Sequence, residues 1–355
     1  MKEQPEHKDS LDKLLDSIIG KDRQEIDQKV AWENIQHRVF YGNRQGYFSQ
    51  KGPRAARFTV AASIAGVMLV LGGILAYFLV YKALQPEELT TVTYPADAIV
   101  LTLPDGEQIN LSDVEAAAKV KEAKLAVAIN KKGLVYTGGS GEHRLRVPEG
   151  QQYKVTLTDG SEVWINGGSA IRYQVGFPER DRGVQLKGEA FFKVRKKPEK
   201  PFIVHTRKME IKVLGTSFNV QAYEEDAEAV ATLVEGKVKA LQNAREQELQ
   251  PGQQVVAREN IAMEVHNVDT EIFTAWIDGK LRFENKTMEA LLLQLERWYG
   301  LEIVCGDTAL LRQRFTGQFS EESIEQVLDY LKVIEEFNYT VNKNEDGKKQ
   351  ILIRP

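Results

Sequence analysis

Few residue patterns in this chain could support chemistry. The five histidines, His7, His37, His143, His205 and His266, are scattered and show no metal-ligand spacing. The cluster Gly138-Gly-Ser-Gly141 lacks the Lys-Ser/Thr that follows a phosphate-binding loop, so it is interpreted as an ordinary loop. Acids and serines form no recognisable catalytic constellation. The sequence therefore predicts a protein that is not an enzyme and has no metal and no cofactor.

The only cysteine, Cys305, follows an apolar run of strand type that contains Leu301, Ile303 and Val304. With one cysteine no intrachain disulfide can form, so apolar cores must provide the stability. No histidine lies near it in sequence, which favours a small buried side chain over a nucleophile.

The longest apolar segment is Phe58–Tyr81, which carries no charged residue. At about 1.5 Å per residue it would form a helix of roughly 36 Å, enough to cross a ~30 Å hydrocarbon core with some tilt. It begins too late and is too long for a signal peptide. We predict a transmembrane helix over 58–81, between a short head (1–57) and a large body.

Charges beside this segment predict its orientation. The last part of the head is basic and lacks acids after Asn34, whereas Glu87, Glu88 and Asp97 follow the segment. The positive-inside rule then places the N-terminus in the cytoplasm and the body in the periplasm, with residues 82–97 as a stalk. The net charge of −4 gives no indication of nucleic-acid binding.

The head has the pattern of two short helices, the second beginning near Asp22. One apolar stripe of the second helix can pack on the first. A second stripe, formed by Trp32, Ile35 and Val39, has no partner within the head. It either folds onto itself or dimerises, or it is a docking face for a cytoplasmic protein.

From residue 98 to 268 the pattern changes to short alternating strands, which predicts an all-β unit, either a sandwich or a short solenoid. Two segments, Leu101–Leu111 and Val155–Ile165, each place Asp-Gly between β-rich runs and are expected to form hairpins.

Ordered motifs in this region resemble the FecR domain. The resemblance covers about 105 residues and rests on these segments: Val147-Pro-Glu-Gly-Gln151, Leu157–Asn166, Gly168-Ser169, Arg182–Val194, Pro201–Val204, Val213–Val220, Leu233–Val238 and Leu249–Gln253. It implies a single-pass inner-membrane anti-sigma regulator with a cytoplasmic head that binds an extracytoplasmic-function sigma factor and a periplasmic FecR domain. Trp32, Ile35 and Val39 become the candidate sigma-binding residues.

The resemblance also draws attention to Gly215-Thr216, because some FecR-like proteins cleave themselves at a Gly-Thr bond. A threonine hydroxyl can attack the preceding carbonyl carbon if the backbone is strained and the oxyanion is stabilised. The alternative is structural: Gly215 forms a bulge and Thr216 pairs in a strand.

The last segment, 276–355, alternates strands with amphipathic helices and predicts a small α+β domain of βαβ type. Its second helix is expected to begin at an N-cap, Ser320. The segments Trp276–Phe283, Arg297-Trp-Tyr-Gly300 and Phe315-Thr-Gly317 resemble the C-terminal domain of FecR-like proteins from Bacteroidetes, which is similar to the signalling domain of secretins and TonB receptors.

That second resemblance implies docking to the signalling domain of a TonB-dependent outer-membrane transporter, in iron or glycan uptake. The candidate docking residues are Phe283, Phe315, Thr316 and Phe319, whose aromatic rings could equally belong to the core. Site-specific membrane proteases are a further partner class. Two other functions remain open, a membrane-anchored periplasmic protein that binds a ligand or glycan, and an anchored envelope enzyme; neither accounts for the second stripe of the head.

Overall fold

The computed structural model describes Pro95 and residues 97–112, 126–130, 133–344 and 347–355. All of them belong to one compact unit. The predicted head, the predicted transmembrane segment 58–81 and almost all of the predicted stalk lie outside the described residues. Within the described ranges, no helix has both the length and the apolar character needed to cross a membrane.

The first part of the described chain is built from strands and is called the β unit here (residues 97–267). Its strands are β1 Val100–Thr102, β2 Gln108–Asn110, β3 Val127–Asn130, β4 Gly133–Tyr136, β5 Gly141–Val147, β6 Tyr153–Thr156, β7 Glu162–Ile165, β8 Ser169–Val175, β9 Arg182–Lys193, β10 Phe202–His205, β11 Glu210–Val213, β12 Ser217–Ala222, β13 Glu228–Glu235, β14 Val238–Gln242, β15 Arg245–Leu249, β16 Gln253–Arg258 and β17 Glu264–Asn267.

These strands form two sheets that share β9. One sheet has the order β2-β1-β5-β8-β9-β10-β11-β14-β15. The other has the order β3-β4-β6-β7-β9-β12-β13-β16-β17. Most pairs are antiparallel, and β9–β10 and β4–β6 are parallel. The described body is therefore mostly β-sheet, as the sequence predicts.

The alternation of side chains along the strands explains their common core. In β8 every second residue from Ser169 is buried, the period expected when one face of a strand meets a core. Leu145 and Ile171 from the first sheet share a single apolar cluster with Val163 and Phe218 from the second. Both Asp-Gly segments form the expected hairpins, β1–β2 and β6–β7.

Strand β9 holds the two sheets together. Its first half, Arg182–Lys187, pairs with β8 and β10. Its second half pairs with β12 from Gly188 and with β7 from Ala190. Gly188 lies between the halves with φ 97°, in the left-handed region that only glycine enters without strain. A Cβ atom on Gly188 would lie 2.3 Å from Oγ of Ser169.

The rest of the described chain is called the C-terminal unit here (residues 271–355). Its elements are α1 Glu271–Thr274, a 3-10 turn Ala275–Asp278, β18 Leu281–Thr287, α2 Met288–Tyr299, β19 Glu302–Cys305, α3 Thr308–Arg312, β20 Arg314–Phe319, α4 Ile324–Ile334, β21 Asn338–Lys343 and β22 Lys349–Arg354.

Strands and helices alternate as the sequence predicts, but the strands lie in two small sheets, β18–β20 and β19–β22–β21. The strands on either side of α2 therefore belong to different sheets, and α2 is not the crossover of a βαβ unit in one sheet. A separate apolar core forms between α2, α4 and both sheets, and its members include Leu291, Leu295 and Leu328.

Local signals explain the helix ends. Thr287 caps α2 at Ala290 N, and Gly300 ends the helix with φ 67°. Helix α4 begins later than the Ser320 prediction. Its N-cap is Ser323, which forms a capping box with Gln326. The expected N-cap fails because Ser320 lies in a turn, where its backbone N–H donates to Glu322 Oε2 at 2.6 Å.

Candidate functional site: the junction between the β unit and the C-terminal unit

Three glycines bring the backbones of the two units into contact. Gly150 follows β5, Gly167 lies between β7 and β8, and Gly300 follows α2. Gly150 N donates to Arg297 O at 2.8 Å. A Cβ atom on Gly167 would lie 2.6 Å from Arg297 O, and one on Gly150 would lie 3.2 Å from Gly300 Cα. Only residues without side chains fit this approach.

Arg297, in the last turn of α2, makes the main side-chain contact across the junction. Its Nη2 donates to Asp226 Oδ1 at 2.7 Å and to Glu225 Oε1 at 2.8 Å, and its Nη1 donates to Asp226 Oδ2 at 3.3 Å. The guanidinium carbon lies 3.7 Å from the centroid of the Tyr223 ring. A fork-shaped pair stacked on an aromatic ring is a geometry that arginine forms and lysine cannot.

Tyr223 connects Arg297 to the glycine contact. Its hydroxyl donates to Gly167 O at 2.9 Å, and its side chain is buried. Burial raises the pKa of Tyr223 well above its ordinary value, so the hydroxyl keeps its proton and remains a donor at neutral pH.

A second chain of hydrogen bonds crosses the junction at Trp276. The buried indole Nε1 donates to Asn219 Oδ1 at 3.2 Å. Asn219 Nδ2 in turn donates to Glu189 Oε1 at 2.9 Å, and Asn166 Nδ2 donates to Glu189 Oε2 at 2.8 Å. Burial raises the pKa of Glu189, while the two amide donors oppose that shift. Trp276 is thus held by the Asn219 amide, which is itself oriented by the Glu189 carboxylate of the β unit.

Beside these contacts lies a cleft of about 1210 Å³ whose walls come from both units. Lys286 lines it, and burial lowers the pKa of its ammonium, while the negative charge of Glu189 counteracts this. Lys286 Nζ donates to Gln294 Oε1 at 2.5 Å. At the opposite edge of the junction, Lys348 pairs with Glu149 at 2.6 Å, with both side chains partly exposed.

This arrangement of contacts can couple the β unit to the C-terminal unit. Each unit has its own apolar core, and the contacts described here between them are hydrogen bonds, ion pairs, backbone approaches and the stacking of Arg297 on Tyr223. Such contacts fix an orientation through geometry. In the described part of the chain, no group of three or more His, Cys, Asp or Glu is arranged to hold a metal ion.

The predicted docking residues lie together on the β18–β20 pair but differ in exposure. Phe283 and Phe315 are buried in the core of the C-terminal unit, so their rings are not part of its surface. Phe319 is half-buried, with its ring centroid 5.8 Å from that of Phe283. Thr316 is exposed, and its Oγ1 accepts a hydrogen bond from Asn285 N at 2.9 Å. Docking through this pair stays a prediction.

The predicted cleavage site, Gly215-Thr216, lies in the connection between β11 and β12. Thr216 is buried, its hydroxyl donates to Lys237 O at 2.9 Å, and its carbonyl accepts from Val194 N at 2.9 Å. A Cβ atom on Gly215 would lie 2.6 Å from Lys196 Cα. The expected bulge at Gly215 is not where the register shifts: the shift lies between Ser217 and Phe218, where β12 pairs with β13. Thr216 precedes β12 and is not part of a strand.

Other predicted residues are placed as follows. Cys305 is partly buried and packs against the core of the C-terminal unit. Trp32, Ile35 and Val39 lie outside the described residues.

Sequence reasoning did not identify the junction, although several of its residues lie in motifs that carried the FecR resemblance. Glu149, Gly150, Asn166, Arg297 and Gly300 all belong to those segments. The sequence offered one signal for the junction, which was the presence of glycines and one arginine in motifs that otherwise resemble loops. Their partners are up to 199 residues apart in the chain, and a single sequence gives no register for such contacts.

Comparisons with known proteins agree with this architecture. The family model described as "FecR protein" matches residues 143–239, and the model described as "FecR, C-terminal" matches residues 280–347. No curated protein matches the chain.

Two crystal structures of a "putative anti-sigma factor" from Parabacteroides distasonis are similar to the chain. The structure at 1.65 Å shares 34% identity with a TM-score of 0.54 and covers 59% of this chain and 97% of its own. The structure at 2.50 Å shares 32% identity with a TM-score of 0.54 and covers 59% of this chain and 98% of its own. At this identity and coverage, together with both family models, the chain belongs to the FecR family of anti-sigma-type regulators.

Proposed function

We propose that this protein is a single-pass inner-membrane anti-sigma regulator. Its head binds an extracytoplasmic-function sigma factor in the cytoplasm, and its body receives a periplasmic signal from a TonB-dependent outer-membrane transporter. The observation that carries the proposal is the 34% identity to a "putative anti-sigma factor" over 97% of that structure. The head and the apolar segment 58–81 precede the similar region, which supports a protein that connects two compartments.

The junction supports a relay rather than two independent modules. Because Arg297 and Trp276 fix the C-terminal unit to the β unit, a partner that engages one unit applies its force or displacement to the other. This coupling needs no catalytic group.

Topology is tested with a reporter enzyme that is active only in the periplasm. Fused after Pro355 it should be active, and fused after Gln50 in a truncated chain it should be silent. The reverse pattern would remove the basis of the proposal.

Sigma binding is tested by replacing Trp32 with Ala. If Trp32 is a buried anchor, the change should cost over ~2 kcal/mol of binding. Sigma-factor co-purification should fall, and sigma-dependent transcription should respond differently to the signal. Membrane levels of the protein serve as the control. Unchanged co-purification and transcription would rule out this docking face.

Signal reception is tested by deleting residues 280–355, which are the C-terminal unit without α1 and the 3-10 turn. Trp276 fills a buried position against Asn219, so the deletion should begin after Gly279 and leave that contact intact. The shortened protein should still hold sigma factor but no longer respond to the inducing nutrient. A normal response would assign signal reception to the β unit.

Self-cleavage between Gly215 and Thr216 is a separate hypothesis, which rests on the family resemblance. Denaturing electrophoresis of the full chain should then show two fragments. Thr216→Ser keeps a hydroxyl and should still give them, whereas Thr216→Ala should give the intact chain. Intact wild-type chain would exclude cleavage under those conditions.

A further inference from the structure

Helix α4 has a stripe of exposed apolar side chains on its outer face. Tyr330 is 53% exposed, Val333 86% and Ile334 63%. Their spacing, i, i+3 and i+4, places all three on one face of the helix. A neighbouring face of the helix carries Ile324, Val327, Leu328 and Leu331, which are buried in the core. The outer stripe is therefore additional to what the fold needs.

The stripe continues onto the neighbouring strand. The ring of Phe319, at the end of β20, stacks on the ring of Tyr330 with centroids 6.2 Å apart and an interplanar angle of 5°. This contact orients Tyr330 and widens the apolar surface. Adjacent exposed apolar side chains of this kind mark interaction surfaces more often than isolated ones do.

Acidic residues surround the stripe. Five carboxylates, those of Glu321, Glu322, Asp329, Glu335 and Glu336, have no ion-pair partner among the described residues. Glu325 is paired with Lys349. The helix has one basic residue, Lys332, whose Nζ lies 5.7 Å from the centroid of the Tyr339 ring.

This charge pattern indicates which kind of partner can bind the stripe. A second copy would bring a second acidic rim against the first, and like charges across an interface are strongly unfavourable. Anionic lipid headgroups would be repelled for the same reason. A protein surface with apolar side chains flanked by lysine or arginine would match both the stripe and its rim.

We propose that the outer face of α4, formed by Tyr330, Val333 and Ile334 with Phe319, docks a protein partner that presents an apolar ridge flanked by basic residues. The proposal rests on the proposed function in one respect, that a periplasmic partner acts on the body. It keeps Phe319 from the predicted surface on the β18–β20 pair but centres docking on the adjacent helix, because Phe283 and Phe315 are buried.

The test is photo-crosslinking of the full chain in the cells that make it. A photoreactive phenylalanine analogue replaces Val333 in one variant and Ile261 in the matched control. Ile261 is also an exposed apolar residue, 52% exposed, but it belongs to the β unit. The expected result is an adduct with another protein at position 333 that is absent at position 261.

Charge reversal distinguishes specific docking from non-specific hydrophobic association. Glu321→Lys, Glu335→Lys and Glu336→Lys, combined in the Val333 variant, should lower the adduct yield about tenfold, because electrostatic complementarity governs encounter at such a rim. The crosslinked partner peptide should carry lysine or arginine beside its apolar residues. An unchanged melting temperature shows that the variant is folded.

Four outcomes would overturn the proposal: no adduct at 333 above the level at 261, an adduct of two copies of this chain, an adduct with lipid, or a yield that charge reversal does not lower. Sigma-factor co-purification is measured in the same extracts. If docking fails while sigma factor is still held, only this inference fails. If sigma factor is lost from the wild-type chain, the proposed function fails.

Discussion

Two arginines illustrate how differently the interior of the β unit and the junction are built. Arg182, in β9, is fully buried and its Nη1 donates to Asp159 Oδ2 at 2.6 Å. Arg297 keeps 12% of its side chain exposed and pairs with two acids across the junction. The first arginine is enclosed by one core, whereas the second joins two cores that are complete without it. We therefore expect that loss of one buried contact destabilises the β unit strongly, and that the junction can separate without unfolding either unit.

The largest effect is expected at Arg182. Its loss leaves the Asp159 carboxylate buried without its partner, so Arg182→Ala should lower the free energy of unfolding of the β unit by about 3–5 kcal/mol. Urea denaturation followed by tryptophan fluorescence measures this. Arg172→Ala is the control, because its pair with Glu142 is exposed and should contribute at most about 1 kcal/mol. Equal effects for the two variants would contradict the distinction.

A smaller effect is expected from a methyl group at the junction. In Gly167→Ala the new Cβ would meet the carbonyl oxygen of Arg297, and overpacking of this kind costs about 1–3 kcal/mol. We expect faster proteolysis in the segment 268–280 while the β unit unfolds at an unchanged temperature. Gly306→Ala is the matched control, since no atom lies within 4 Å of its Cβ position. If the β unit itself melts earlier in Gly167→Ala, the units are not separable.

Arg297→Lys should have a more moderate effect. Lysine keeps the positive charge but loses the two-pronged contact with Asp226 and the stacking on Tyr223, so we expect about 1–2 kcal/mol of weaker association between the units. Proteolysis of the same segment at low and high salt measures it. Glu149→Gln removes the partly exposed pair with Lys348 and should change proteolysis less. A larger effect for Glu149→Gln would place the main contact elsewhere.

The smallest effect is a dependence of the free energy of unfolding on pH, and it differs between the two units because their histidine content differs. Burial lowers the pKa of His143, whose Nδ1 is 2.7 Å from the Tyr136 hydroxyl, although the charge of Asp105 opposes this. The unfolded chain then binds a proton that the folded chain does not. Stability is complete above the ordinary pKa of about 6.5 and falls as pH drops through the folded value, by at most about 1.4 kcal/mol per pH unit.

The C-terminal unit, residues 271–355, contains no histidine. Titration of His143 should therefore destabilise the β unit between pH 7 and pH 5, while Glu189, whose raised pKa favours the folded state at low pH, acts in the opposite direction. His143→Asn should remove only the histidine contribution. Circular dichroism melts of the full chain at several pH values measure it. A slope in the variant that equals the slope of the wild-type chain would contradict the assignment to His143.

Local patterns predicted much of the fold. The alternation in Val155–Ile165 predicted β6 and β7, because an Asp-Gly turn and a half-buried strand both depend on neighbouring residues. The amphipathic pattern in 276–355 predicted helices in this segment, including α2, for the same reason. The short helix α3 was not predicted, because its five residues are fewer than the pattern needs. The division of β9 between two sheets was not predicted either, since a period of two does not specify which strand lies alongside.

The junction was beyond prediction for a related reason. Glycine is required at position 167 only because the carbonyl oxygen of Arg297 lies against it, and no local pattern in the sequence encodes that contact. Arg297 could be assigned to the last turn of a helix, where a basic residue is favourable in any protein. Its stacking on Tyr223 and its pairs with two acids depend on how the units meet. The docking prediction had the same weakness. Phenylalanines such as Phe283 and Phe315 occur both in cores and at interfaces, so the residue type does not distinguish the two.

The pairing of strand β12 determines how fast two fragments would separate if the chain were cut at the Gly215-Thr216 connection. Ser217–Ala222 is hydrogen-bonded to β9 on one side and to β13 on the other, while β11, before the connection, pairs with β14 after it. A break in the backbone at this point would leave two fragments that are interleaved in both sheets. They could part only as fast as the whole β unit unfolds, on a scale that reaches days for slowly unfolding domains. The cut protein would behave as a long-lived complex of two chains, visible by denaturing electrophoresis and invisible by gel filtration.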